Sequence, residues 1–283
     1  LHRLPLAGTC KWVENVSIKL TTQVLGTFFA YPFADRHKLP YWSDMATSLP
    51  DATGSDGNVD ARTVALQECL AYFTELWHQR KNNPADTMDL ISLLATNPAT
   101  RNMVDDPLEY LGNLILLIVG GNDTTRNSIT GGVLALHENP DQFTKLRSNL
   151  NLIPSMVSEV IRWQTPLMHM RRIATREIEL GGKTIRKGDK VVMWYLSGNH
   201  DETAIDQPNE FIIDRTNPRY HLSFGFGIHR CMGNRLGEMQ LRVLWEEILK
   251  RFSKVEVIGE PERVLSNFVR GYSALPVRLH GLS

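Results

Sequence analysis

The sequence predicts a mainly α-helical fold with a minor antiparallel β part, carried by one domain over residues 1–283. Three observations lead there. Apolar residues recur at helical spacing through the first 150 residues. One short stretch, 171–197, instead alternates apolar and polar side chains around Gly-Gly and Lys-Gly-Asp turns. A last amphipathic helix follows a glycine-rich loop, with short strands behind it. Hydrophobic residues at 42% and charged residues at 22% allow a sizeable core, and no internal repeat or low-complexity tract interrupts it.

The elements follow in order. TCKWVENVSIKLTTQVLGTFFAYP is expected to be a helix stopping at Pro32, and LPYWSDMATSL a shorter helical piece. DATGSDGNVD, polar and turn-rich, reads as a loop. ARTVALQECLAYFTELWHQRKNNP is a long helix ended by Asn-Asn-Pro, and ADTMDLISLLAT a further one with Asp86 or Thr87 as its cap. Residues 105–140 form one very long helix or two. NPDQFTKLRSN places a proline at the favoured first helical position, and IPSMVSEVIRWQTP is closed by Pro166. HDETAIDQPNEFIIDRTNPRYHLS is irregular. GNRLGEMQLRVLWEEILKRF is amphipathic, with Leu236, Met239, Val243 and Phe252 among its apolar positions.

Composition excludes several function classes. Lysine plus arginine equals aspartate plus glutamate, at 31 each, so no basic excess points to a nucleic acid. The run LILLIVGG is too short to span a bilayer, and no membrane role is expected. Cys10, Cys69 and Cys231 are odd in number, widely spaced and without zinc spacing, which favours a reducing cytoplasm over a disulfide framework. The chain opens at Leu1 inside folded-looking sequence and its first methionine is Met45, so an N-terminally truncated fragment is expected, with little activity by itself.

Three short segments carry candidate chemistry. In FGFGIHRCMG, Gly225 and Gly227 let the backbone approach a flat ligand, and Gly233 leads into the last helix. A helix N-terminus stabilises a thiolate, so Cys231 suits a soft or borderline metal; a plain buried thiol is the bland alternative. In EVIR, Glu159 and Arg162 at i,i+3 read most simply as a surface ion pair. In GGNDTT, Gly120 and Gly121 either end one helix before a new cap or weaken a continuous helix where something lies against its backbone.

Phe224, Gly227, His229, Cys231 and Gly233 fit Phe-x-x-Gly-x-(His/Arg)-x-Cys-x-Gly, and the segment resembles the haem-binding loop of cytochrome P-450 monooxygenases. EVIR is similar to that family's Glu-x-x-Arg and GGNDTT to its distal oxygen-activation motif, each occurring once and in family order. The resemblance covers essentially the whole chain and is closer still to the bacterial soluble alkane-hydroxylase branch. It implies haem b as cofactor and dioxygen as co-substrate. Cys231 would be the proximal iron ligand, while His229 and Arg172 would meet haem propionates, with Arg171 as a substitute for Arg172. Asp123 and Thr124 would relay protons beside Gly120 and Gly121. Arg215 would complete the Glu159–Arg162 lock, although Glu210 in PNEF stands where the commoner form has its arginine.

Carried over further, the resemblance implies a small hydrophobic substrate lined by Leu116, Val119, Leu167, Met168, Phe268 and Val269. Terminal hydroxylation of a medium-chain alkane or fatty acid is the expected reaction. Electrons would come from a ferredoxin and its NAD(P)H-dependent reductase. Arg230, Arg235 and Arg242 would form a docking patch for that ferredoxin, or else plain solvated surface. A cysteine hydrolase using Cys231 and His229, and a haem carrier or sensor without turnover, are the rival readings.

Overall fold

The computed structural model describes residues 4–47, 58–82 and 89–282. Strand β1 (Gly8–Lys11) comes first, then a π-helical stretch at Val13–Ile18 that runs straight into α1 (Lys19–Phe28). The helix predicted from Thr9 thus begins at Val13. The residues before it pair antiparallel with β9 (Pro276–Gly281), Gly8 opposite Leu279 and Lys11 opposite Pro276. That partner lies at the far end of the chain, so local periodicity carries no trace of it.

Helices α2 (Lys38–Thr47), α3 (Asn58–Asn82) and α4 (Leu90–Thr96) follow. Residues 58–60, predicted as part of a loop, are helical, and the rest of that loop lies outside the described residues. Asp86 and Thr87, the predicted caps, also lie outside them. Helix α4 is capped by Asp89, whose Oδ1 accepts from the Ser92 N–H at 2.9 Å.

Residues 107–138 form a single helix, α5 (Pro107–Glu138), about 48 Å long. Asp106 caps it by accepting from the Leu108 and Glu109 N–H groups, each at 3.1 Å, and Pro107 takes the first helical position. The helix passes through two apolar clusters. Tyr110, Leu114 and Ile118 belong to one, with Leu25 of α1, Phe29 and Tyr31 just after it, Trp42 of α2, and Phe73 and Trp77 of α3; Ile129, Val133 and Leu136 belong to the other. Gly120 to Thr125 lie at the junction. Burial along so much of its length offsets the roughly 1 kcal/mol that each interior glycine costs relative to alanine.

Helices α6 (Pro140–Ser148) and α7 (Ile153–Gln164) pack beside the second half of α5, and α7 ends at Thr165 in the left-handed region, φ 39°. The β part predicted as one small sheet is two ladders. Strand β2 (His169–Ile173) pairs with β5 (Lys190–Trp194), and β3 (Ile178–Leu180) pairs with β4 (Lys183–Ile185) around Gly181 and Gly182, both at positive φ. Helix α8 (Tyr195–Gly198) and the irregular segment lead to the cysteine loop and α9 (Asn234–Arg251). The chain closes with β6 (Phe252–Val257), β7 (Glu262–Arg263), β8 (Tyr272–Ala274) and β9; the order β1-β9-β6 makes a three-stranded sheet.

On α9 the buried stripe is Leu241, Leu244, Trp245, Ile248 and Leu249, whereas Met239 and Val243, predicted on the apolar face, are exposed. The helix carries apolar residues on more than one side, and packing against α5 and α7 selects Trp245 and its neighbours. Among the described residues no helix is long and apolar enough to cross a membrane.

Glycines on α5 mark close helix contacts. A Cβ on Gly132 would lie 3.2 Å from Val160 of α7, and one on Gly131 would overlap Gln164 Oε1. Gln164 cannot step aside freely, because its amide donates to Arg270 O at 2.7 Å and its Oε1 accepts from Tyr272 Oη–H at 3.1 Å. Gly131→Ala is therefore expected to destabilise the fold by about 1–3 kcal/mol through overpacking, read as a lower denaturant midpoint with an unchanged slope.

Candidate functional site

The site is assembled on a buried electrostatic node. Glu159 and Arg162 of α7, expected as a surface pair, are both fully enclosed. Arg162 Nε and Nη2 each donate to the Glu159 carboxylate at 2.8 Å, a bidentate geometry. Arg215 Nε donates to Glu159 Oε2 at 2.9 Å, and the Ile212 N–H to Oε1 at 2.9 Å. The remaining guanidinium protons go to backbone carbonyls: Arg162 to Asn199, Pro208 and Glu210, Arg215 to Asp206, Gln207 and Glu210. An i,i+3 spacing is common to surface and buried pairs, so the sequence could not separate them. The irregular segment decides it, since its carbonyls arrive from outside the helix.

Asn199, which the sequence reading passed over, ties this node to the cysteine loop. It is fully buried; its amide donates to Thr165 Oγ1 and Ser223 Oγ, each at 2.8 Å, and its Oδ1 accepts from the Leu222 N–H at 2.6 Å. Two residues on, the Cys231 N–H donates to Phe224 O at 2.8 Å and closes the loop. Gly225 and Gly227 have φ of 67° and 76°, a left-handed conformation that a side chain would strain. A Cβ on Gly225 would also come within 3.0 Å of Tyr195 Oη, so the loop rests on the end of the β2–β5 ladder.

Cys231 is exposed at its outer side, just ahead of α9, and His229 ends the short turn before it. Burial of the sulfur against its own loop pushes the thiol pKa up, opposed by the Gly233 N–H and then by Arg230. A bound metal cation reverses that balance, because a coordinating thiol is deprotonated outright. Among the described residues no hydrogen bond joins Cys231 to His229, so the thiolate–imidazole pair of a cysteine hydrolase is not formed.

A second open surface is one stripe of α5. Gly112, Leu116 and Gly120 are exposed four residues apart, with Val119 and Thr124 half-buried beside them. A Cβ on Gly120 would meet nothing within 4 Å. Gly121 faces elsewhere, against Leu25 of α1 at 3.0 Å. A Cβ on Gly237, in the first turn of α9, would lie 3.9 Å from Thr125 Oγ1, so α9 meets α5 six residues past Cys231. The acid and the alcohol then part company. Thr124 Oγ1 donates to Gly120 O at 2.7 Å along the open stripe. Asp123 is fully buried and points to α2, with Ser43 Oγ 2.9 Å from its Oδ1, Thr47 Oγ1 3.3 Å from its Oδ2, and Arg126 Nη2 3.1 Å from Oδ1. Burial raises the Asp123 pKa above the carboxylate range, and Arg126 opposes the rise.

Two pairs of the expected substrate lining meet directly. Met168 N donates to Phe268 O at 3.0 Å, and Leu167 bridges to Val269. Leu167, Met168 and Phe268 remain half-buried, while Val269 is turned into the core. Arg172 on β2 is half-buried, its Nη1 donating to Arg171 O at 2.9 Å, and Arg171 is exposed. A hollow of about 650 Å³ between α6 and residues 207–212 contains none of these groups, and its Asp141, Lys145 and Glu210 rim is unsuited to an alkyl chain.

A model of the cytochrome P450 family matches residues 58–271. The chain belongs to the cytochrome P-450 family. It is 36% identical over 279 residues to linalool 8-monooxygenase of Pseudomonas putida, covering 99% of this chain and 68% of that protein. It is 36% identical over 267 residues to a methyl-branched lipid omega-hydroxylase of Mycobacterium bovis, covering 94% and 61%. Among solved structures, the cytochrome P-450-153 of Novosphingobium aromaticivorans superposes with a TM-score of 0.90 at 46% identity, over 99% of this chain and 67% of that one. The chain thus spans about two thirds of the length of the relatives it matches.

Cytochrome P-450 enzymes use haem iron and dioxygen. The residues here fit haem. Phe226, Ile228 and Met232 around the thiol are 86%, 96% and 85% exposed, far more than three neighbouring large apolar side chains are left in water without an occupant. Gly120 leaves open space on the facing helix, and His229 and Arg172 supply basic groups for an anionic edge.

His221, against the Phe224 ring, has its Nε2 buried and unpartnered. Burial first, then Arg162, with Arg230 and Arg219 adding and Glu159 opposing, lowers its pKa from 6.5 to about 4. Between those values the unfolded chain binds a proton that the folded one refuses, so stability is complete above pH 6.5 and falls as pH drops toward 4. The loss is expected to reach up to about 3 kcal/mol. Urea titrations from pH 7 to 4 should show that slope in the parent protein and lose it in His221→Asn.

Proposed function

We propose that this chain carries the haem-binding and proton-handling part of a monooxygenase that converts an aliphatic C–H bond to an alcohol, most readily at the terminal carbon of a linear alkane or fatty acid. The observation that carries the reading is the exposed thiol loop ahead of α9, together with an open stripe on α5, the helix that α9 meets at Gly237 and Thr125. Haem held there supplies dioxygen binding and activation. Each turnover takes two electrons and two protons, with one oxygen atom leaving in the alcohol and the other in water.

The chain's own residues divide the work. Cys231 provides the thiolate, and the hydrogen bonds that the Cys231 and Arg230 N–H groups donate to Phe224 O and Gly227 O hold the loop in place. His229 and Arg172 balance the carboxylate edge of the haem. The Thr124 hydroxyl, 2.7 Å from Gly120 O, is placed to pass protons once it turns from that carbonyl, and Asp123 is their source. Leu116, Val119, Leu167, Met168 and Phe268 exclude water and hold an alkyl chain by burial, at about 0.8 kcal/mol per CH₂. The names of two relatives, a lipid omega-hydroxylase and a linalool 8-monooxygenase, support an aliphatic substrate. Electrons come in this reading from a ferredoxin reduced by an NAD(P)H-dependent reductase. Exposed Arg230, Arg235 and Arg242 provide the basic surface for it, although Arg242 also pairs with Glu246 at 3.6 Å.

The reduced, CO-bound holoprotein is expected to show the red-shifted Soret band of a thiolate-ligated haem, and Cys231→Ser to lose it. Given octane or a medium-chain fatty acid, ferredoxin and reductase, a protein carrying this chain at the full length of its relatives is expected to form the terminal alcohol. A Cys231→Ser protein with the parent's spectrum, or a product set confined to aromatic or steroid oxidation, would contradict the assignment.

A further inference from the structure

Tyr195, the first residue of α8, stands where the β2–β5 ladder meets the cysteine loop. It is 7% exposed yet belongs to neither apolar cluster. Its hydroxyl makes no hydrogen bond among the described residues and is not fully enclosed, so the small exposed part of the side chain includes Oη. A tyrosine buried to this degree normally has a partner for its O–H. The register of the ladder gives the direction of the side chain. Met170 lies opposite Met193 and Arg172 opposite Val191. Side chains alternate across a strand, so these four share one face. They are half-buried, whereas Arg171, Ile173, Val192 and Trp194 on the other face are exposed. Trp194 is extended, with φ −82° and ψ 90°, so the alternation carries Tyr195 to the face of Met193 and Arg172. The cysteine loop covers that end of the face. A Cβ on Gly225 would lie 3.0 Å from Tyr195 Oη and 3.9 Å from the His229 carbonyl oxygen. Glycine at 225 therefore leaves the phenol its place beside the loop that carries His229 and Cys231.

We propose that Tyr195 is a further haem-binding residue, whose phenol donates a hydrogen bond to a haem carboxylate alongside Arg172 and His229. The inference rests on the reading of the Cys231 loop as the haem site. Arg172 comes from one end of the ladder face, Tyr195 from the other and His229 from the loop. Val191, opposite Arg172, is four residues from Tyr195, so the two donors sit about 13 Å apart along the strand, and haem carries two carboxylates on one edge. The donors differ in kind. Arg172 supplies charge, and its Nη1 is also engaged by the Arg171 carbonyl at 2.9 Å. The phenol is uncharged, turns about only two side-chain torsions and is held by burial, so it supplies direction at a small entropic cost. No acceptor of the described chain is bonded to it, which leaves a ligand oxygen or water for that proton.

Tyr195→Phe removes only the hydroxyl and keeps the ring against Gly225. A protein carrying this chain at the full length of its relatives is loaded with protohaem, or with haem dimethyl ester, in which both carboxylates are capped. Haem loss to excess apomyoglobin is then followed for the parent and the variant. With protohaem, Tyr195→Phe is expected to lose haem about tenfold faster, the scale of one hydrogen bond to a charged acceptor. With the dimethyl ester the two proteins are expected to differ by no more than about twofold, because an uncharged oxygen accepts more weakly. Resonance Raman spectra of the protohaem form are expected to show the propionate bending band displaced in Tyr195→Phe.

Equal loss rates with protohaem overturn the proposal, because the phenol then faces only water. A tenfold effect that persists with the dimethyl ester also overturns it, since the hydroxyl then supports the loop rather than a carboxylate. The reduced, CO-bound spectrum separates this inference from the reading beneath it. A parent without the thiolate-type band loses the Cys231 haem site and the role of Tyr195 together. A parent with the band, but with unchanged haem loss in Tyr195→Phe, keeps the site and loses only the role of Tyr195.

Discussion

The buried carboxylate of Glu159 is the constraint on which the rest of the site depends. Taking a charge out of water costs several kcal/mol, and that cost is recovered only with good geometry and every remaining donor satisfied. Here two guanidinium groups and the Ile212 N–H converge on one carboxylate, and the surplus guanidinium protons end on carbonyls of residues 199–210. The consequence is conformational. A segment without helix or strand is held by its backbone to a rigid helix, and the cysteine loop at its end inherits that placement. Asn199 completes the chain of contact, bonding to the node through its carbonyl and to Leu222 and Ser223 through its side chain. A loop rich in glycine is thereby fixed at both ends: by Asn199 before it, and by α9 after it.

Helix α5 is the second organising element, and each of its faces has a different neighbour. The face of Gly121 admits α1, that of Gly131 and Gly132 admits α7, and that of Gly120 admits no part of the described chain. The same small residue therefore marks tight packing at three positions and open space at two, Gly112 and Gly120. Asp123 and Thr124 are adjacent in sequence but about 100° apart around the helix, so one faces α2 and the other the open stripe. A motif that reads as a single functional unit is split between a dry protein interior and the surface where the cofactor belongs.

Much of this was legible in the residues themselves. The spacing of Phe224, Gly227, His229, Cys231 and Gly233 is a local pattern, and local patterns survive translation into structure because the loop closes on its own backbone through the Cys231 N–H and Phe224 O. The helices from Lys38 to Gln164 followed their apolar periodicity and caps to within a few residues where they are described. The misreadings share one cause. Strand β1 was hidden because its partner is β9; Met239 and Val243 were placed inward because α9 has apolar residues on several sides; Glu159 looked like half of a surface pair because its burying partners lie about 50 residues away. Asn199, Ser43, Thr47 and Gly237 gave no signal at all, since an asparagine, two hydroxyls and a glycine acquire meaning from what they face.

The sequence by itself determined the thiol and its loop, the glutamate–arginine spacing, the acid–alcohol pair and the helical order that carries them, because each depends on residues close together in the chain. Tertiary structure alone decided that the glutamate is buried, that α5 runs unbroken through its double glycine, that α9 meets α5 at Gly237 and Thr125, and that Asp123 turns to α2 while Thr124 turns to the open face. Those outcomes depend on the desolvation of charge and the close approach of helices, and both are set by groups distant in sequence that meet when the chain is folded.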